Sequence, residues 1–199
     1  MRFCFGLLVV EGYLDGVASR KLLRSLDIET HGVSMVDKGG RRPFWKDVRK
    51  YNSASEQTPV WGLADLEKDP CPSGLIQKHV KGWPHRNFVL RIAEPMLESW
   101  LLADRQRLAA FLGVRVSQVP THPEKDPNPK QRIVQLARIS SRREIRQDLI
   151  PNPGSGGIVG PGYTSRMEEF ISAYWEPERA AKCSQSLRRA IAAIRKVCT

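Results

Sequence analysis

"VVEGYLDG", residues 9–16, is the stretch on which the reading of the fold turns. Two valines close an apolar run that starts at residue 3, and an acid, Glu11, stands where the run ends. An unbroken apolar run of this kind reads as a strand buried on both faces, as in parallel sheets. Beyond Gly12, Val17, Leu22, Leu23 and Leu26 keep helical spacing, which predicts a helix over 15–26. A strand that ends on a carboxylate and returns through a helix raises the question of what the acid is for.

Working outward, the alternation continues. Strands are predicted at 32–36, 60–64 and 87–92, with helices at 43–52 and 73–80 between them. Strands separated by helices imply a mostly parallel four-stranded sheet with right-handed crossovers, a Rossmann-like α/β fold. After residue 92 the pattern becomes helical, at 95–103, 104–112, 129–139, 165–175 and 186–197. Asp104 suits an N-cap, Asn128 a cap followed by Pro129 in the first turn, and Ser165 with Glu168 a capping box. Trp100, Leu101 and Leu102 read as core. The expected division is residues 1–104 as the α/β core and 105–199 as a helical extension packed on it. Two polar loops, 120–129 and 151–162, interrupt the helical part.

Composition bounds the chemistry. The chain has 199 residues, 41% hydrophobic and 27% charged, enough to build a core. Its net charge of +11 suits a polyanionic partner, nucleic acid first. Cys4, Cys71, Cys183 and Cys198 are scattered without a C-x-x-C pair, so reduced thiols in a cytoplasmic protein are expected and a zinc site is not. The first apolar run is short and closed by Glu11, so neither a signal peptide nor a membrane span is expected. The glycine-rich stretch 154–157 lacks the G-K-[ST] ending of a P-loop, and the four histidines show no ligand spacing.

"ADLEKDPCP", residues 64–72, sets Asp65, Glu67 and Asp69 two apart, directly after the third strand. While the chain stays extended, such residues project to one side. Ligands of open parallel sheets bind outside the carboxyl ends of the strands. With the first and third strands as neighbours, Glu11, Asp65 and Glu67 converge, and the local sequence brings no cation to them. Clustered carboxylates repel and call for protons or a metal, and oxygen ligands at this density suit Mg²⁺ or Mn²⁺. The plainer alternative is that these acids cap helices or lie in solvated loops, with Asp69 placed to cap the helix near Pro72.

Glu-Gly at the end of a first strand, followed by an acidic D-x-D-like strand end, resembles the Toprim pattern. Closer still is the resemblance to a bacterial Toprim-like family of unknown function, akin to the Toprim half of nucleases of the "overcoming lysogenization defect" type. Its marks are "VVEGYLD", "DLEKD", "RIAEPMLESWLLAD", "NPK" and "GPGYTSRMEEFI", within residues 7–195. The resemblance implies that Glu11 is the general base or metal organiser and that Asp65 and Glu67 are metal ligands, followed by Asp69. Glu67 departs from the usual Asp. Glu98 matches a further acid of the nuclease branch, and Lys130 of the "NPK" block is the implied catalytic cation. Glu94 and Glu98 are expected one turn apart on a helix face.

Six Lys and Arg fall in residues 38–50 against Asp47 alone. Lys38, Arg41, Arg42, Lys46 and Arg49, together with Arg132 on a later helix, are the candidate phosphate contacts, although charged faces are usually only solvated. The expected function is metal-dependent cleavage of a nucleic-acid phosphodiester, as the effector of an ATPase-partnered phage-defence system. The rival is a non-catalytic regulatory or scaffolding partner of such an ATPase, with a degenerate metal site. A homo-oligomer is compatible with either.

Overall fold

The structure, a computed structural model, describes residues 4–198. Strands β1 (Leu7–Val10), β2 (Ser34–Asp37), β3 (Val60–Asp65) and β4 (Phe88–Ala93) form one all-parallel sheet in the order β2-β1-β3-β4. The fold is α/β and Rossmann-like, as expected. In register, Val10 of β1 lies beside Leu63 of β3, and Asp65 beside Ala93 of β4. The two middle strands therefore end side by side, so Glu11 and Asp65 leave the sheet together.

Both faces of the sheet are covered, which is why its strands are apolar without a break. Leu8, Val10, Trp61 and Leu63 pack on one side, and Val9, Val60 and Ala64 on the other. Helices α2 (Arg41–Ala54) and α3 (Pro72–Val80) cover the second side through Phe44, Trp45, Val48, Leu75 and Val80. Gly62 is required there, because a Cβ would stand 2.8 Å from the Phe88 ring and 2.9 Å from Leu90. Helix α1 (Tyr13–Ser25) covers the first side, joined by the helical second half.

That half comprises α4 (Leu97–Ala103), α5 (Arg105–Leu112), α6 (Pro129–Arg138), α7 (Arg143–Leu149), α8 (Tyr163–Glu169), α9 (Pro177–Ala180) and α10 (Gln185–Cys198). Helix α8 runs on into a wider π turn, Phe170–Tyr174. Residues on either side of 104 share one core, which includes Leu8, Trp100, Phe170 and Ile194. Leu187, Ala190, Ile191 and Ile194 bury one stripe of α10. The Trp100 indole donates to Ser186 Oγ at 2.7 Å and locks α10 to α4. Trp100, Leu101 and Leu102 are fully buried.

Several local expectations are corrected. The first strand begins at Leu7, with Gly6 N–H still bonding Pro59 O beside the start of β3 at 3.0 Å. Residue 3 lies outside the described residues, as do 1, 2 and 199 of the two expected segments. Ser165 and Glu168 form no capping box: α8 already starts at Tyr163, and Glu168 accepts from Tyr13 Oη at 2.6 Å. Asp104 is the N-cap residue of α5, as expected, but makes no side-chain capping bond; its carboxylate takes the Glu176 N–H at 2.9 Å and pairs with Arg179 at 3.0 Å. Helices α7 and α9 were not foreseen; each is too short to display a hydrophobic period. The cysteines are not all reduced, since Cys4 and Cys198 form a disulfide and Cys71 and Cys183 are free. Their separation of 194 residues hides that pairing from any local motif. Among the described residues, no helix is long and apolar enough to cross a membrane.

Candidate functional site

The strand ends build the site. Glu11 follows β1, and its N–H donates to Leu63 O of β3 at 3.1 Å. The Asp65 N–H reaches back to Glu11 Oε2 at 3.4 Å. Asp65 Oδ1 accepts the Leu97 N–H at 2.9 Å, which draws the first turn of α4, and with it Glu98, to the same place. Gly40 N–H donates to Glu11 O at 2.7 Å, so α2 begins beside Glu11 as well.

A fourth acid joins them. Asp15 lies in the first turn of α1, and its Oδ2 takes the Gly12 N–H at 2.9 Å. Its Oδ1 is buried with no hydrogen-bond partner. Glu11 and Asp15 are each 8% exposed and Glu98 3%, while Asp65 is half-buried. Burial, then Glu98 and Glu11, push the Asp15 carboxyl up to about 8. Burial, then Asp15, Glu98 and Glu11, lift Asp65 well above the carboxylate range. Glu11 is raised by burial, and Glu67 adds to this against the opposing Asp65 amide. Four carboxylates therefore share one electrostatic environment that cannot hold all of them charged without a cation.

One cation is supplied by the chain. Lys130, in the first turn of α6, stands 3.4 Å from Glu98 Oε1. Burial opposes its charge, but Glu98, with Asp65 and Asp15 behind it, raises its pKa overall. The Tyr163 hydroxyl donates to the same Glu98 oxygen at 3.1 Å. Burial and Glu98 lift the Tyr163 pKa well above its usual value, so the phenol keeps the proton it donates.

The D-x-E-x-D run does not stay extended. The chain turns after Asp65, with Glu67 at φ 54°, so the three acids do not project to one side. Glu67 is exposed and pairs with Arg41 Nε at 3.4 Å, and Asp69 is held by the same guanidinium. Arg41 Nη1 also donates to Asp65 O at 2.8 Å. The cation that reaches these acids comes from far away in sequence, because α2 carries Arg41 to the sheet edge. Asp69 does not cap α3 either: Cys71 is the N-cap, accepting the Gly74 N–H on its sulfur. Glu94 shares no helix face with Glu98, since α4 starts at Leu97 and Glu94 pairs with Arg189 at 2.9 Å.

The residues suit a hard divalent cation by chemistry. Glu11, Asp65 and Glu98 share the electrostatic environment of Asp15, whose Oδ1 is orphaned, and carboxylate oxygens are hard ligands. As the side chains stand, no group of three acids, histidines or cysteines among the described residues is already gathered to hold a metal. Glu11, Asp15, Asp65 and Glu98 are the residues that would do so, with Glu67 and Asp69 tied to Arg41. Asp15 and Tyr163 escaped the sequence reading. Asp15 stands four residues after Glu11, but the spacing looks like an ordinary acidic first turn of a helix.

The candidate phosphate contacts divide. Lys38 is held by Asp47 at 2.7 Å, and Arg132 by Asp126 at 2.7 Å. Arg42, Lys46 and Arg49 make no ion pair and line a cleft with Trp45, Lys78 and His79. Comparison of the chain with family models, with curated proteins and with solved structures finds no match.

Proposed function

We propose that the chain is a Toprim-like, metal-dependent nuclease that cleaves nucleic-acid phosphodiester bonds. The observation that carries this reading is the set of acids Glu11, Asp15 and Glu98, buried, with half-buried Asp65, left one cation short at the open end of the two central strands. Glu11, Asp15, Asp65 and Glu98 would hold Mg²⁺ or Mn²⁺. When bound, the ion supplies charge stabilisation at the phosphoryl oxygens. Glu11, with its proton affinity raised by burial, accepts the proton of the attacking water. Lys130 neutralises charge developing on the phosphate, held in place by Glu98, which Tyr163 orients. The cations of α2 hold the strand. We place this activity in the cytoplasm, as the effector of an ATPase partner in phage defence; in that reducing compartment the Cys4–Cys198 bond is the feature that stands apart.

A second reading draws on Glu67. Its outward turn and pairing with Arg41 leave the strand end short of its second ligand, as in a regulatory or scaffolding partner with a degenerate site. The test is Asp65→Asn, which keeps size and can keep the Leu97 amide bond. The nuclease should nick nucleic acid with Mn²⁺, stop in EDTA, and lose orders of magnitude of activity in the variant. Its melting temperature in EDTA should hold or rise, because one repelling acid is gone. Mn²⁺ at about 100 times its Kd should stabilise the wild type by about 2.7 kcal/mol and the variant much less. Equal metal-induced shifts in both proteins, with no nicking by either, would favour the regulatory reading.

A further inference from the structure

The cleft between α2 and α3 is not used by the acidic cluster. Its volume is about 620 Å³, and it is lined by Arg41, Arg42, Trp45, Lys46, Arg49, Asp69, Lys78 and His79. Asp69 is neutralised by Arg41, whose guanidinium reaches Asp65 O at the acidic cluster. Arg41 is therefore shared between the cleft wall and the edge of the candidate site.

Its wall is built by a helical period. Arg42, Trp45, Lys46 and Arg49 recur at three- and four-residue steps, so α2 turns them all to one side. From Arg42 to Arg49 the helix rises about 10 Å, enough for the row to meet more than one phosphate of a strand. Lys78 and His79 of α3 face them across the cleft. Among the described residues, Arg42, Lys46, Arg49 and Lys78 make no ion pair or side-chain hydrogen bond. Like charges gathered without acceptors repel, and an anion relieves them.

Trp45 is the second, independent observation. It is 5% exposed, and its indole Nε1–H is buried with no acceptor. The other buried indoles are all satisfied: Trp61 by Ser19 Oγ, Trp100 by Ser186 Oγ and Trp175 by Trp100 O. That nitrogen has no accessible surface, so what the cleft offers a ligand is the Trp45–His79 ring pair rather than the N–H. The Trp45 ring is backed by His79 at 4.7 Å between centroids. Burial and the neighbouring Lys78 and Arg41 lower the His79 pKa, so this half-buried ring is neutral near pH 7 and offers an aromatic surface.

We infer that the α2–α3 cleft binds single-stranded nucleic acid, with Arg42, Lys46, Arg49 and Lys78 on its phosphates and His79, backed by Trp45, beside a base. The inference rests on the proposal that nucleic acid is the substrate, and it names the form of that substrate. The volume matches a small-ligand pocket of about 300–1,000 Å³, which admits a nucleotide or two of a threaded strand. A duplex reader instead projects an element into a groove about 12 Å wide, whereas these cations line a cleft between two helices. Cations with an aromatic surface are the usual means of holding a single strand without sequence preference.

The experiment is fluorescence anisotropy of labelled oligo-dT against a blunt DNA hairpin, in EDTA, over a series of salt concentrations. Arg42→Ala with Arg49→Ala should reduce the salt slope for oligo-dT by about 1.4, at about 0.7 per phosphate contact. The exposed pair Arg138→Ala with Arg188→Ala removes equal charge elsewhere and should leave the slope unchanged. His79→Ala, which removes the half-buried ring that lines the cleft, should weaken oligo-dT several-fold while leaving the melting temperature near that of the wild type. The hairpin should bind at least tenfold more weakly than oligo-dT. An unchanged slope in the cleft variant, an equal fall in the control pair, an unaffected His79→Ala protein, or a hairpin bound as tightly as oligo-dT each overturns the inference. Because EDTA removes any metal, the result stands apart from cleavage. Intact cleft binding without nicking would count against the acidic cluster alone. Metal-dependent nicking without cleft binding would count against the cleft alone.

Discussion

Burial beside Glu98 and Glu11 gives the Asp15 carboxyl an affinity for protons near pH 8, against about 3.8 in an unfolded chain. The folded form therefore binds the proton more tightly than the unfolded form, and this group's contribution to stability is greatest below about pH 4. It is lost as pH rises towards about 8. Glu11 and Asp65 are raised too and act in the same sense. Metal-free protein is thus expected to melt at lower temperature at pH 8 than at pH 5, and Asp15→Asn should flatten that fall. Melting curves in EDTA across this range check it, and a wild type that gains stability towards pH 8 would contradict the buried cluster. Lys130 offsets part of the repulsion but reaches Glu98 rather than Asp15, whose Oδ1 stays unpaired.

At the scale of elements, β3 does most to position the site. It is central, pairs with both β1 and β4, and carries Asp65 at its end. Its close packing depends on Gly62, whose missing side chain makes room for Phe88 and Leu90. Gly62→Ala drives a methyl into that ring, and overpacking of this kind costs about 1–3 kcal/mol. For a chain of this size each kcal/mol lowers the melting temperature by about 2–4 °C. The second substitution Phe88→Leu, which removes the ring from the clash, should restore part of the loss. A thermal melt of the single and double variants measures both, and an unaltered Gly62→Ala protein would mean that α2 and α3 sit less tightly on the sheet than they do here. Helix α4 acts at the same scale: its first amide is fastened to Asp65, so any shift of β3 moves Glu98 with it.

The whole molecule is closed by Cys4 and Cys198, which join the start of the described chain to the end of α10. Both residues pack against the larger core cluster, so the bond ties the sheet to the helical half. The loop it closes spans 194 residues, for which the chain-entropy model gives about 5 kcal/mol at 25 °C as an upper figure. Reduction should therefore lower the melting temperature by several degrees, as should Cys4→Ser, while Cys71→Ser and Cys183→Ser have little effect. Thiol titration of unfolded protein provides the independent check: two free thiols before reduction, from Cys71 and Cys183, and four after it. Four thiols before any reductant is added would show that the bond does not form.

What the sequence determined by itself is the layout of the sheet. Each strand is a local apolar run and each crossover a local helical period, so short windows were enough to place β1 to β4, α1 to α3 and the long helices. It also marked Glu11 and Asp65, because an acid that ends a buried strand interrupts a visible pattern. Short elements such as α9, at four residues, have no period to read. Tertiary structure decided the rest of the site. Asp15 looks like any first-turn acid until burial puts it among Glu11, Asp65 and Glu98. Glu67 looks equal to Asp65 until a turn sends it out to Arg41, which lies 26 positions earlier. Tyr163 meets Glu98 across 65 positions, and Cys4 meets Cys198 across 194. Charge–charge coupling, burial and covalent pairing depend on distance in space, and only the folded chain sets that distance.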